Sequence, residues 1–130
     1  MSQYLLSMYS GEGRRRQPMT EEQMKESMQR IVALEAEMDE TGTFLFGGRL
    51  AAPHTAAVVS PDDGEVKVTD GPSVEAKQHL AGFYIIEAED RDAAIAWGAR
   101  VADAVGASIE VRPFVATGRA AEQMNPGAAE

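Results

Sequence analysis

The strongest constraint in this sequence is that its strand-forming segments are apolar on both sides. Neighbouring side chains of a strand point to opposite faces, so a sheet covered on one side alternates apolar with polar residues. In residues 3–9, Tyr4, Leu6 and Met8 fall on one side while Leu5 and Tyr9 fall on the other; in 82–89, Phe83 and Ile85 oppose Tyr84 and Ile86. Both faces need cover, and the two helical segments of the chain supply it for one. A large apolar face in water is rare on a soluble monomer. The pattern therefore predicts a homodimer packed sheet to sheet through an isologous interface, unless the hairpin or the C-terminal tail folds across the second face.

The order of elements fixes the fold class. Residues 3–9 read as a strand. Thr20 is a helix N-cap with Gln23 as capping-box partner, Glu21 and Glu22 suit the positive helix start, and Gly42 supplies the stop. Met24, Met28, Ile31, Leu34 and Met38 form the apolar stripe of that helix. A strand over 43–51 follows, in which Gly47 and Gly48 mark a bulge or a close approach to the backbone. Segments 56–60 and 65–69 flank the turn Pro61-Asp62-Asp63-Gly64 as a hairpin, closed by Asp70-Gly71-Pro72-Ser73, with a short helical turn over 74–78. After the strand 82–89, Asp90 caps a second helix with Ala94, Trp97, Gly98, Val101 and Val105 on one face; Gly106 ends it, and 108–115 is the last strand. Phe44, Phe46, Phe83 and Trp97 read as core. The result is an α+β, ferredoxin-like plan: an antiparallel sheet with two helices on one face and an inserted hairpin. Residues 1–115 form one domain and 116–130 a flexible tail.

Composition narrows the function by exclusion. With 130 residues there is room for one domain, and with no cysteine there is no disulfide, thiolate metal site or cysteine nucleophile. A net charge of -9 and a pI near 4.7 argue against a nucleic-acid partner. Arg14, Arg15 and Arg16 sit among Gly11, Gly13 and Pro18 and read as a solvated loop. No apolar run spans a membrane and the first ten residues lack a secretory signal, so a cytoplasmic location is expected. Neither GxGxxG nor a Walker pattern follows a strand, so no nucleotide cofactor is expected; no histidine spacing suits a metal, and no serine sits in a nucleophile elbow.

A few polar groups stand out. Asp70 opens its turn as a carboxylate base or as a cap for the backbone beyond it. His54 and His79 are the two imidazoles, and a proton carrier working near neutrality would be one of them. Glu35 lies within the stripe of Met28, Ile31 and Met38, so it is aimed at the sheet and needs a partner; Arg49 and Arg112 are the strand cations that could meet it. Tyr84 joins Glu35, Arg49 and Arg112 as a candidate ligand-binding residue.

Tyr4-Leu5-Leu6-Ser7-Met8-Tyr9, Thr69-Asp70-Gly71-Pro72, Gly82-Phe83-Tyr84-Ile85-Ile86 and Ile109-Glu110-Val111-Arg112-Pro113 resemble, in order and spacing, the YCII-related family in its DGPF-type branch. The resemblance covers roughly residues 4–115 and implies a dimeric α+β barrel, most of whose members have no assigned activity. Relatives on this plan include small enzymes that isomerise, cleave or dechlorinate ring-derived acids, and genes of the branch often neighbour sigma factors. Two departures matter: Ser73 stands where the branch usually has Phe, and the first helix holds no His, whereas YCII-type members regarded as catalytic pair a helix His with an Asp. The expectation is a non-catalytic homodimer that binds a small anionic ligand. The alternative is an acid–base enzyme with Asp70 or Glu35 as base and His54 or His79 as acid.

Overall fold

The computed structural model describes residues 2–11, 20–72 and 78–124. The expected Arg14–Arg16 loop, Ser73 and the helical turn before residue 78 lie outside them. Strand β1 (Ser2–Gly11) leads to helix α1 (Glu21–Glu40) and strand β2 (Phe44–Arg49). A single 3-10 turn over Pro53–Thr55 enters a hairpin of β3 (Ala57–Asp62) and β4 (Glu65–Asp70). Strand β5 (Gln78–Ala88), helix α2 (Arg91–Val105), strand β6 (Glu110–Pro113) and a short helix α3 (Ala120–Met124) complete the chain. The main sheet has the order β2-β5-β1-β6, and all of its pairings are antiparallel. That is the ferredoxin-like α+β arrangement, with β3 and β4 forming a separate two-stranded sheet.

Local chemistry sets the element ends. Gln23 N–H donates to Thr20 Oγ1 at 3.1 Å and Thr20 N–H to Gln23 Oε1 at 3.0 Å, the reciprocal capping box. Asp90 Oδ1 accepts from Ala93 N–H at 2.8 Å at the start of α2, and Gly106 ends that helix at φ +69°. The hairpin turn is tighter than the four residues expected. Pro61 pairs with Val66 and Asp62 with Glu65, leaving Asp63 and Gly64 as a two-residue turn with positive φ at both. Such a turn matches the twist of the strands it joins. β5 begins four residues before the expected start, because Gln78 to Leu80 pair with the end of β1 beyond a register shift between Met8 and Tyr9.

The core lies between one sheet face and the helices. Tyr4, Leu6, Ile86 and Ala88 from the strands meet Leu34 and Met38 of α1 and Ala94 and Val101 of α2, with Phe44, Trp97 and Val111 at its margin. Gly98 lets α2 approach β6; a Cβ there would stand 2.7 Å from Val111 Cγ2. The α1 stripe is buried only in its second half. Leu34 and Met38 are covered while Met24 and Met28 are exposed: the 20-residue helix, about 30 Å long, outruns the six-residue edge strand β2, about 20 Å long, against which it lies.

The opposite face of the sheet carries Leu5, Phe83 and Ile85 in its centre and Phe46 towards the β2 edge. Phe83 and Phe46 pack ring to ring at 5.9 Å, and Phe46, expected in the core, is 57% exposed. Register accounts for it: an irregularity between Phe44 and Phe46 keeps Phe44 on the helix side and turns Phe46 away. On this face Leu5, Phe83 and Ile85 are half-buried and Ser7, opposite Phe83, is fully buried. Every hairpin residue except Val58 is exposed and α3 buries no residue, so among the described residues neither element packs closely on it.

Candidate functional site

Register places one polar cluster on the helix side of the sheet. Leu6 is paired with Tyr84 and Tyr84 with Gly47; one step along, Met8 is paired with Gly82 and Gly82 with Arg49. Residues opposite one another in a ladder share a face, so Tyr84, Gly47 and Arg49 look towards α1. The Tyr84 hydroxyl donates to Glu35 Oε2 of α1. Glu35 therefore does meet the sheet as its place in the stripe required, but through a tyrosine and not through an arginine.

The tyrosine ring has no slack. A Cβ at Gly47 would stand 2.7 Å from Tyr84 Cδ1 and 3.0 Å from Cε1, and Phe44 meets the ring edge to face at a centroid distance of 5.9 Å. Gly47 is thus the point of close approach anticipated for the glycine pair. Burial first, then the hydrogen bond to Glu35 and its charge, hold the Tyr84 proton above its ordinary range. At neutral pH this side chain is a fixed hydrogen-bond donor and not a base.

The other expected residues divide by position. Arg49 is exposed at the end of β2 and has no ion pair among the described residues. His79 lies opposite Ser10, beyond the Met8–Gly82 position at the same end of the sheet, and Ser10 Oγ donates to its carbonyl at 3.5 Å. Arg112 goes elsewhere. It is paired with Leu5, so it lies on the open face, where it forms a 3.9 Å ion pair with Glu110. His54 is exposed on the 3-10 turn and Asp70 exposed at the end of β4. Gly71 N–H, next to Asp70, donates to the Ala56 carbonyl at 2.7 Å, and the Gly71–Pro72 peptide is cis. The structure joins Glu35, Tyr84 and Arg49 on one side and leaves Arg112, His54 and Asp70 apart from them.

Sequence reasoning did not single out Gly47 as the seat of the Tyr84 ring. Its signal was present, a glycine in a strand opposite an aromatic residue, but reading it needs the β2–β5 register. Among the described residues no group of three or more His, Cys, Asp or Glu could hold a metal ion, and no helix is long and apolar enough to cross a membrane.

Comparison with known proteins identifies a family. The YCII-related domain model matches residues 3–118. An uncharacterised protein of Rhizobium meliloti (strain 1021) is 31% identical over 97 residues, which is 73% of this chain and 78% of the other.

Proposed function

The chain belongs to the YCII-related domain family, and from that premise we propose that it is a homodimer, each protomer of which binds a small anionic molecule without chemical turnover. The observation that carries the reading is the Tyr84–Glu35 hydrogen bond on the helix side of the sheet, which also holds Arg49, without an ion pair among the described residues. Arg49 offers the charge for a carboxylate or phosphate. Glu35, with one oxygen engaged by Tyr84, keeps the other for a donor on the ligand. Apolar side chains are at hand on the same elements: Met8 on that face of the sheet, and Met28 and Ile31 on the α1 stripe that holds Glu35. The ligand that fits is an acid with a short apolar body and a hydroxyl or amino group at its far end.

Two features of this cluster support the non-catalytic reading. α1 carries no histidine, and the tyrosine keeps its proton through the range where an acid–base step would need to exchange it. The DGPF-type turn at Asp70-Gly71-Pro72 and a cytoplasmic location belong to the same reading. Dimerisation is supported by the apolar second sheet face, where Phe46 is exposed and Leu5, Phe83 and Ile85 are half-buried among the described residues. Saturation-transfer NMR with a panel of small hydroxy and amino acids tests the binding site. At least one should bind and be lost with Arg49→Ala; a panel without binders, or binders indifferent to that substitution, contradicts it.

A further inference from the structure

The hairpin has an apolar face that no described residue buries. Val59 is paired with Val68, Pro61 with Val66 and Ala57 with Asp70, so these residues share one side of the two-stranded sheet. Val59 is 64% exposed, Val66 67% and Val68 64%. The base of the hairpin is tight: Gly71 N–H bonds Ala56 O, and a Cβ on Gly71 would stand 3.0 Å from the Ala56 Cβ. It is therefore a braced arm projecting from the end of the sheet where β2 leaves and β5 enters. A two-stranded hairpin on its own is marginal in water, so this arm needs something to lie against.

We infer that the arm's apolar face lies on the second copy of this chain and forms part of the dimer interface. This rests on the homodimer proposed above and extends it. The argument is one of area. Four strands about 4.8 Å apart and six residues long, the length of β2, give a sheet face of roughly 400 Å². A stable interface buries about 800 Å² on each partner. One face of a two-stranded arm of the same length adds roughly 200 Å². In a symmetric dimer each copy buries its own arm and also the surface under its partner's arm, so the contribution counts twice on each side. The sheet face and the arms together then reach about 800 Å² per copy. Proximity favours the same occupant, because once two sheet faces meet, the partner's surface stands at roughly millimolar effective concentration around each arm.

The test uses the full chain with Val59→Lys/Val68→Glu. This places opposite charges across one rung of the hairpin, keeping the pair while removing its apolar surface. Sedimentation velocity over a dilution series reads the dimer dissociation constant, and it should rise about 100-fold or more. Hydrogen exchange of the wild-type chain gives a second readout: the amides of β3 and β4 should be slowed at concentrations where the chain is dimeric and lose that protection on dilution. A double variant that dimerises like wild type, or arm amides indifferent to dilution, overturns the arm's role while leaving the sheet-to-sheet dimer in place. A wild-type chain that stays single at all concentrations overturns the dimer itself and this inference with it.

Discussion

Replacing Gly47 with alanine probes the candidate site where the structure is tightest. A glycine-to-alanine change at a relaxed backbone position ordinarily stabilises a protein by about 0.4–1 kcal/mol, through the unfolded chain. Here the new methyl would stand 2.7 Å from Tyr84 Cδ1 and 3.3 Å from Phe44 Cε2, against an ordinary carbon–carbon contact of about 3.5–4.0 Å. The ring has to move by about 1 Å to restore such a contact, and with Phe44 packed against it the hydroxyl swings away from Glu35. Overpacking of this kind costs about 1–3 kcal/mol. Loss of the hydrogen bond adds about 1 kcal/mol, less than the roughly 1.5–3 kcal/mol of a buried charged acceptor because Glu35 is half-exposed. The net expectation is a destabilisation of about 1–3.5 kcal/mol, read by urea unfolding followed through Trp97 fluorescence. In a Tyr84→Phe background the methyl still meets the ring but there is no hydroxyl to displace, so Gly47→Ala should cost about 1 kcal/mol less. A neutral or stabilising Gly47→Ala, or strictly additive costs, refutes the reasoning.

Alkaline stability should report Tyr84. Its folded form holds the proton above the ordinary 10.0, so the stability tied to it is complete below about pH 10 and falls as the pH rises towards the folded value. Urea midpoints from about pH 9 to about pH 11 should decline less steeply in Tyr84→Phe, and equal slopes would contradict the assignment. Met38→Ala should cost about 2–5 kcal/mol because the side chain is fully buried, whereas Met28→Ala on the overhanging half of α1 should stay within about 0.5 kcal/mol in urea unfolding of the single chain. Because each chain carries a net charge of -9, dimerisation should tighten several-fold when ionic strength rises from about 0.01 M to about 0.15 M, as light scattering can record; weakening would point to an attractive charged interface instead.

Much of the fold was legible because its signals are local. Thr20 with Gln23, Asp90 and Gly106 mark helix ends through groups a few residues apart, and the order of strands and helices then left one common topology. The two-sided strands predict that one face of the sheet needs cover beyond the two helices. What escaped depends on register. Phe46 and Phe44 are two residues apart and should share a face, yet a bulge between them sends one to the core and the other to the open side. The extent of burial along α1 escaped for a related reason, since an apolar stripe does not record where the sheet beneath it stops. Within the candidate site, the place of Glu35 in the stripe announced a contact with the sheet, but its partner had to be read from the ladder that sets Tyr84 beside Gly47. The same ladder sends Arg112 to the far face, next to Leu5.

The central claim is that this sheet presents two apolar faces and that a second copy covers the one its own helices do not. Sedimentation velocity of the wild-type chain at micromolar concentration and about 0.15 M salt tests it most directly. A species of twice 14.0 kDa is expected, giving way to single chains when Phe83 on the second face is changed to Lys. A wild-type chain that sediments at 14.0 kDa across that range contradicts it.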